Sequence, residues 1–321
     1  MPRSNSTTLG SLGETRLIEA IQEWLGATNP PAPHGIGDDC AVLPLRRARQ
    51  LVTVDPVIAG RHFDDRATPA AVAGKLLKRN LSDIASMGGT PHSAVIAVAA
   101  PPTTHVDWLR AFYRGLAACA RAHGVHVVGG DCAQTPGPFS AFLTLMGDAP
   151  KRPLTRTGAR LGDLIFVTGS LGGSILGKHT TFRPRLAEGR WLAARREVRA
   201  AIDLSDGLGK DLPALVPDGA EVVVDPRALP VSAAARRLAR RDGRDPLDCV
   251  LNDGEDYELL FAVAPRGVEA FIVAWHRALD TPLSCIGRLA RNASAEPAGR
   301  AMRFDPPLPS GVLTQGYEHF R

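Results

Sequence analysis

Acidic residues recur beside glycine or at the ends of apolar segments along this 321-residue chain. They are Asp38 with Asp39, Asp55, Asp83, Asp131, Asp203 with Asp206, and Glu255 with Asp256. Any one of them is typical of a turn or a helix cap. Loops at strand ends carry function in α/β proteins, however, and glycine lets a backbone approach a ligand closely. The repetition therefore predicts a site that several carboxylates share.

If these carboxylates converge they must bind cations, because two of them about 4 Å apart would repel by roughly 4 kcal/mol at a surface-like dielectric. Their hard oxygens favour magnesium over zinc, which prefers softer ligands. Magnesium usually bridges protein carboxylates to the phosphates of a substrate. The pattern thus indicates a nucleotide or another phosphate ester as substrate, and phosphoryl transfer as the reaction class.

A second phosphate-binding motif has to be weighed against this interpretation. The segment 172–179 nearly matches a P-loop and follows a predicted strand over 163–168. His179 stands where the motif needs a serine or threonine hydroxyl to hold magnesium, so we favour a glycine-rich turn between a strand and a helix. His123 and His126 have the spacing of a metal pair but enter an apolar strand, which favours a structural role.

The periodicity of apolar residues predicts the elements that position these side chains. The predicted helices cover 17–25, 69–87, 108–122, 192–202 and 232–240, and the predicted strands cover 51–57, 94–99, 125–128, 139–146, 163–168 and 221–224. Asp83 shares an apolar helical stripe with Leu76 and Met87, so its carboxylate needs a partner. The strand that ends at residue 128 should leave Asp131 in a loop.

A shift toward proline, lysine and arginine at 149–153 predicts a boundary between an N-terminal domain, 1–150, and a C-terminal domain, 151–321. Each part mixes strands with helices, which indicates the α/β class. Hydrophobic residues make up 44% of the chain, and its length is enough for two domains with separate cores.

The formal net charge of +5 comes from an arginine-rich composition and suggests an anionic partner. A nucleic-acid-binding protein without catalysis is the alternative from another class, yet the basic residues are dispersed and aromatic residues amount to only 5%. No apolar run approaches the ~20 residues that span a bilayer. The five cysteines include no Cys-x-x-Cys pair, and no leader-like segment precedes them. We therefore expect a cytoplasmic protein that binds neither nucleic acid nor membranes.

The motifs, taken in chain order, resemble the thiamine-monophosphate kinase family, which shares a superfamily with aminoimidazole ribonucleotide synthetase, selenophosphate synthetase and a hydrogenase maturation factor. They are GIGDDCAVL at 35–43, DPVIAGRHF at 55–63, NLSDIASMGGTP at 80–91, VVGGD at 127–131, LTRTGARLGD at 154–163, AIDLSDGL at 201–208, GEDYELLF at 254–261 and GYEHF at 316–320. The resemblance implies the two-domain synthetase-like fold of that superfamily. The N-terminal domains of a homodimer would join into a β-barrel and carry the metal and ATP site, and the C-terminal domain would be α/β.

By this resemblance, the chain would transfer the γ-phosphate of ATP in line to thiamine monophosphate, giving thiamine diphosphate with the help of several Mg²⁺ ions. The implied metal ligands are Asp39, Thr53, Val54, Asp55, Asp83, Asp131, Asp203 and Asp206. The implied ATP-binding residues are Tyr113, Gly130, Asp131, Arg156 and Ser205, and the implied thiamine-monophosphate contacts are His62, Glu255 and Tyr317. Arg156 and Asp131 are the implied catalytic residues. No general base is required, because the accepting phosphate is already ionised near neutral pH.

The chain departs from the family pattern next to the central Asp55. Val54 stands where a second hydroxyl residue is usual, so it can offer a metal only its backbone carbonyl, and Pro56 replaces a small or polar residue. The stretch 173–179 is also shorter than usual. The nearest rival interpretation is another ATP-dependent synthetase of the same superfamily. A selenophosphate synthetase would be expected to carry a reactive cysteine or selenocysteine in a glycine-rich N-terminal loop, and the maturation factor a C-terminal cysteine; this sequence shows neither feature.

Overall fold

A computed structural model describes residues 7–12, 14–32, 34–36, 40–43, 46, 49–292 and 301–317. These residues fall into two compact units. The first, called the N-terminal unit below, lies within 1–84 and 90–149, and the second, the C-terminal unit, lies within 85–89 and 150–321. Among the described helices, none combines the length and the hydropathy that a bilayer-spanning segment requires.

The N-terminal unit is built on one four-stranded sheet. Its helices are α1 (Leu9–Leu12), α2 (Glu14–Leu25), α3 (Pro69–Ser86) and α4 (Val106–Ala122), and its strands are β1 (Gln50–Ile58), β2 (Thr90–Ala100), β3 (His126–Gln134) and β4 (Ser140–Asp148). The strand order is β1, β4, β2, β3, with β2 and β3 parallel and the other neighbours antiparallel. Consequently β1 and β3 are the two edges, and the sheet is not closed into a barrel.

Helices cover one face of this sheet, and the other face is open. Leu143 in β4 is fully buried, whereas its neighbour Phe142 is 41% exposed, which is the alternation of a strand with one covered face. The covered face meets α3, since a Cβ at Gly147 would lie 3.3 Å from the Cδ1 atom of Ile84. Val54 is 61% exposed on the opposite face, so the open side of the sheet is apolar.

The C-terminal unit is built on a six-stranded sheet. Its helices are α5 (Lys178–Thr181), α6 (Leu186–Ala193), α7 (Leu208–Asp211), α8 (Ala233–Asp242), α9 (Pro246–Asn252) and α10 (Val268–Ala278). Its strands are β5 (Leu164–Thr168), β6 (Val198–Asp203), β7 (Ala220–Val224), β8 (Leu259–Val263), β9 (Leu283–Arg291) and β10 (Ala301–Phe304). The order is β10, β7, β9, β5, β8, β6, and among the described strands of this sheet only the β10–β7 pair is parallel.

Both faces of this second sheet are buried. In β5, Ile165 and Val167 belong to one apolar cluster, while Phe166 between them belongs to another that also contains Phe261 and Trp275. A continuous apolar run such as β5 is typical of a strand covered on both sides. This packing fixes the C-terminal end of β6 and the start of β8. The candidate residues of this unit lie at and after the end of β6 and in the loop before β8.

The predicted helix over 192–202 is wrong. The α6 helix ends at Ala193, and Val198 to Asp203 form β6, which pairs antiparallel with β8. The segment Arg199-Ala200-Ala201 has good helix formers, but Ala200 and Ala201 are buried in the sheet, and tertiary packing overrides local propensity.

The predicted end of a strand at residue 128 is also wrong. The strand β3 continues through Gly129, Gly130 and Asp131 to Gln134, paired with β2. Glycine permits this pairing, because a Cβ at Gly130 would lie only 2.1 Å from the carbonyl oxygen of Ile96. Asp131 therefore lies within a strand and not in a loop, as does Asp55 within β1.

Candidate active site

In the N-terminal unit, β1 and α3 bring together three of the predicted metal ligands. Thr53 and Asp55 alternate along β1 on the face that meets α3, and the hydroxyl of Thr53 donates a hydrogen bond to the carboxylate of Asp83 on α3. Arg79, one turn earlier on α3, donates from Nη2 to Oδ1 of Asp55 over 3.2 Å and from Nη1 to the carbonyl of Pro56 over 3.1 Å. Asp83 thus has the partner that its apolar stripe required.

The donor atoms of this group are a hydroxyl and two carboxylates, which are hard oxygen ligands of the kind magnesium prefers. Their chemistry therefore fits magnesium and not zinc. Among the residues that the structure describes, however, no three histidine, cysteine, aspartate or glutamate side chains form a group that could hold a metal ion. Asp39, predicted to be a further ligand, lies outside the described residues.

Asp131 lies apart from this group. The strand register pairs Asp55 with Leu143, Leu143 with Ile96, and Ile96 with Gly130. Residues paired in this way lie on the same face of the sheet, so the side chain of Asp131, one residue after Gly130, points to the opposite face. Three strand spacings separate β1 from β3, about 14 Å. The side chains of Asp55 and Asp131 therefore do not converge within this unit. Asp131 is exposed, and its Oδ1 accepts a hydrogen bond from the backbone amide of Cys132 at 2.9 Å.

Tyr113 lies in the interior next to Asp131's strand. It is 1% exposed on α4, its ring centroid is 6.2 Å from that of Trp24, and its hydroxyl is 4.0 Å from the Sγ atom of Cys132. Burial holds the pKa of the phenol well above its usual range, so the hydroxyl stays protonated. A cavity of about 290 Å³ lies alongside, and its lining includes Leu109 and Gln134 together with Cys132.

His62 is held at the turn after β1. The backbone amide of Ile58 donates to its Nδ1 atom over 3.1 Å, so that nitrogen carries no proton and the imidazole is oriented by the main chain. The ammonium of the fully buried Lys75 on α3 donates a hydrogen bond to the main-chain carbonyl of His62 over 2.7 Å. Sequence reasoning missed Lys75, for which only its place on an apolar helix face gave a signal.

In the C-terminal unit, the predicted residue Asp203 ends β6, and the turn that follows carries Ser205 and Asp206. The carboxylate of Asp211 accepts hydrogen bonds from the backbone amides of Ser205 and Asp206, both at 2.9 Å. Burial raises the pKa of Asp211 to about 6. Gly207 closes the turn with φ 92°, a conformation that favours glycine. Asp211 is a residue that the sequence analysis did not single out.

The loop before β8 is joined to this turn by main-chain hydrogen bonds. The amide of Glu255 donates to the carbonyl of Ser205 at 2.7 Å, and the amide of Tyr257 donates to that of Leu204 at 2.8 Å. Glu255 and Tyr257 have φ values of 55° and 51°, which side-chain-bearing residues rarely adopt. The structure therefore places Glu255 beside Ser205, as the motif order alone could not show.

The segment 313–317 also docks on this turn. Tyr317 donates its amide to the carbonyl of Asp206 at 2.8 Å, and Lys210 donates to the carbonyl of Tyr317 at 2.9 Å while its ammonium lies 2.8 Å from a carboxylate oxygen of Asp206. The side-chain oxygen of Asn252 accepts from the amides of Gln315 and Gly316. Tyr317, which is 38% exposed, is thus held next to Asp206 and Glu255's loop. Asn252 and Lys210 were not predicted.

Arg156 is exposed in the same unit. Its positive charge is one of the influences that lower the pKa of Asp211, the carboxylate that accepts from the amides of Ser205 and Asp206. Neighbouring Thr155 accepts a hydrogen bond from the amide of Ala201 in β6, which aligns this segment with the strand that leads into the turn. In the C-terminal unit, main-chain hydrogen bonds therefore join the segments that carry Asp203, Ser205, Asp206, Glu255 and Tyr317, and Arg156 follows a residue bonded to β6.

The segment that resembles a P-loop does not form one. The ammonium of Lys178 donates to the carbonyl of Ser170 at 2.7 Å and to the carboxylate of Glu258 at 2.9 Å, so it is engaged inside the unit. The residues after the glycines form a short 3-10 turn, Ser174–Leu176, and the four-residue helix α5. This is the strand-to-helix turn that the missing hydroxyl favoured.

Comparison with known proteins shows relatives along nearly the whole chain. Residues 37–149 match the family described as AIR synthase related protein, N-terminal domain. Thiamine-monophosphate kinase of Rhodopirellula baltica is 35% identical over 299 residues, which cover 88% of this chain and 92% of that protein. The enzyme of the same name from Salmonella typhimurium is 36% identical over 332 residues, which cover 96% and 98%.

Solved structures agree. A crystal structure of thiamine-monophosphate kinase from Stenotrophomonas maltophilia has a TM-score of 0.75 and 32% identity, with 90% of this chain and 96% of that chain covered. AaThiL complexed with AMPPCP and TMP has a TM-score of 0.72 and 27% identity, with 99% and 100% covered. The hydrogenase maturation protein HypE in complex with ATP, at 18% identity and a TM-score of 0.73 over 93% of this chain and 95% of that chain, shares the fold.

The match of residues 37–149 and the shared fold define a chain with an N-terminal domain of the AIR synthase-related class. Within that class, identity of 35% and 36% over most of the chain is decisive. The chain belongs to the thiamine-monophosphate kinase family.

Proposed function

We propose that this protein phosphorylates thiamine monophosphate to thiamine diphosphate with ATP as the phosphoryl donor. The observation that carries the proposal is the identity of 35% and 36% to thiamine-monophosphate kinases over most of both chains. The similarity to AaThiL complexed with AMPPCP and TMP, over 99% of this chain, supports ATP and thiamine monophosphate as the two substrates.

The metal ligands are the oxygen donors of both units: Asp39, Thr53, the carbonyl of Val54, Asp55, Asp83, Asp131, Asp203 and Asp206. The hydrogen bond between Thr53 and Asp83 supports this assignment in the N-terminal unit, because two donors already lie side by side. In the C-terminal unit, Asp203 ends β6 directly before the turn that carries Asp206, so the two carboxylates belong to one short segment. Bound magnesium would supply neutralisation of the phosphate charges.

The ATP site contains Tyr113, Gly130, Asp131, Arg156 and Ser205. A cavity of about 290 Å³ whose lining includes Cys132, the residue after Asp131 and the one nearest the Tyr113 hydroxyl, supports the part of this site that lies in the N-terminal unit. Its apolar lining and its size suit a single flat base, with Gln134 as the polar group that could read the base edge.

Thiamine monophosphate is bound by His62, Glu255 and Tyr317. The carboxylate of Glu255 complements the cationic thiazolium or the amino group of the pyrimidine, and the exposed ring of Tyr317 offers an aromatic face to the same cation. This assignment is supported by the main-chain hydrogen bonds that join Glu255 and Tyr317 to the 203–206 turn.

The transfer itself needs alignment and charge neutralisation. The accepting phosphate oxygen is ionised near neutral pH, so no side chain has to remove a proton. The guanidinium of Arg156 stabilises charge that develops on the transferring phosphoryl group. Asp131 positions ATP as a metal ligand and an ATP-binding residue. This explains why carboxylates abound in the motifs while no nucleophile is required.

The protein acts as a homodimer in the cytoplasm. The apolar, open face of the N-terminal sheet supports the dimer, since Val54 and Phe142 are 61% and 41% exposed in a single chain. Joined to a second copy, the N-terminal domains, 1–150, would complete the β-barrel, and the C-terminal domains, 151–321, would remain α/β.

A coupled ADP-release assay with Mg²⁺ tests the proposal, run in parallel with thiamine monophosphate, with free thiamine and with neither. We expect ADP only with the monophosphate, because free thiamine lacks the phosphate that accepts the group. Turnover with thiamine, or equal ADP release with no acceptor, would refute the assignment.

A further inference from the structure

The segment 170–185 contacts the Glu255 loop along its whole length. Gly172 donates its amide to Asp256, Ser174 donates to the carbonyl of Gly254 at 2.7 Å, Lys178 and Arg185 both donate to Glu258, and Phe182 stacks on Tyr257 with ring centroids 4.0 Å apart. Neither the P-loop motif nor the catalytic proposal accounts for this arrangement.

The loop requires such support because its backbone is unusual. Two residues with side chains, Glu255 and Tyr257, have left-handed φ values of 55° and 51°. Conformations of this kind persist only when the surroundings over-determine them, and they cluster at ligand sites. The contacts from 170–185 and the hydrogen bonds to Leu204 and Ser205 hold the backbone of Glu255 and Tyr257 in these conformations.

Within this arrangement, His179 lies against the carboxylate of Glu255. The Nδ1 atom of His179 is 3.6 Å from Oε2 of Glu255, and the hydroxyl of Tyr257 donates to Oε1 of Glu255 over 3.3 Å. The side chains of His179 and Glu255 are 15% and 26% exposed, so the pair is partly shielded from water while Glu255 keeps an open side. The imidazole and the Tyr257 hydroxyl thus face different oxygens of the same carboxylate.

We propose that His179 is a positioning residue that orients the carboxylate of Glu255 toward a cationic, amine-bearing heterocycle, and so sets the affinity for thiamine monophosphate. This inference rests on the proposed function and specifies how one of its substrate contacts is held. His179 would touch Glu255 and not the substrate. The 173–179 stretch brings its imidazole to the loop, whereas a P-loop would have a magnesium-binding hydroxyl at this position.

The test compares His179→Ala, His179→Gln and the control His276→Ala, which changes an exposed histidine of α10. In His179→Ala, we expect the KM for thiamine monophosphate to rise about tenfold while kcat changes by no more than about twofold, because a ground-state binding contact is lost. The KM for ATP should stay unchanged. His179→Gln, which keeps a hydrogen-bonding side chain, should recover much of the loss, and His276→Ala should match the wild type.

An unchanged KM for thiamine monophosphate in His179→Ala, or an equal rise of the KM for ATP, would overturn the inference. If His179→Ala does not fold, as judged by its Tm, His179→Gln decides alone: a KM between those of the wild type and Glu255→Ala supports the role, and a KM equal to either of them overturns it. A wild-type protein without turnover on thiamine monophosphate would refute the proposed function itself, before any variant is compared.

Discussion

At the scale of single residues, the carboxylates differ in how much of the structure depends on them. Asp131 is exposed, and its carboxylate accepts a hydrogen bond from the amide of the next residue, Cys132, whereas Asp203 is buried at the end of a strand. A substitution at Asp131 therefore probes chemistry with little cost to folding, while one at Asp203 probes both.

Asp131→Asn should lower turnover at least a hundredfold, because it removes a charge at the nucleotide and the metal without changing the size of the side chain. Its Tm should equal that of the wild type. Asp107→Asn, on the exposed start of α4, is the matched control and should keep full activity. Near-normal turnover of Asp131→Asn would remove Asp131 from the site.

At the scale of elements, β3 depends on glycine where it passes β2. A Cβ at Gly130 would lie 2.1 Å from a backbone oxygen, so Gly130→Ala must displace the strand and should destabilise the protein by about 1–3 kcal/mol. Gly74→Ala on α3 meets only the end of Lys78 at 3.9 Å and should stabilise by up to about 1 kcal/mol. Urea unfolding measures both; equal effects of the two substitutions would show that the close approach is not real.

The start of β8 is also an element whose stability depends on pH. Burial raises the pKa of Asp256 from 3.8 to about 7, so between those values the folded protein holds a proton that the unfolded chain has released. The free energy of unfolding should then fall as pH rises from about 4 to 7, and level off above.

Asp256→Asn should remove that part of the pH dependence, because the amide cannot ionise but its oxygen can still accept from the amide of Gly172. Urea unfolding at pH 5 and pH 8 is the measurement: the wild type should lose more stability than the variant, by an amount on the order of a few kcal/mol. The same pH slope in both proteins would mean that Asp256 is ionised in the fold.

The elements also show how far sequence reasoning reaches. Helix 69–87 was predicted and α3 covers Pro69–Ser86, because the period of its apolar residues matches the face that packs on the sheet. The continuation of β3 through Asp131 was not predicted, because two consecutive glycines indicate a turn unless the neighbouring strand is known. Asn252 and Lys210 gave no signal either, since their bonds to 315–317 join residues more than sixty positions apart.

At the scale of the whole molecule, the open face of the N-terminal sheet argues for association of two copies. Phe142→Asp should convert the proposed dimer to a monomer, because a charge would be buried in an apolar interface. Val273→Asp, on the exposed side of α10, is the control and should leave the dimer intact. Light scattering after size exclusion distinguishes the two, and a wild-type monomer, or a dimeric Phe142→Asp, would contradict the dimer.

The central claim is that this chain moves the γ-phosphate of ATP onto the phosphate of thiamine monophosphate. Incubation with γ-labelled ATP, Mg²⁺ and thiamine monophosphate, followed by separation of the thiamine species, tests it most directly. The account predicts label in thiamine diphosphate in amounts equal to the ADP formed, and none in free phosphate beyond a control without acceptor. Label released only as free phosphate, or no labelled thiamine diphosphate at all, would contradict it.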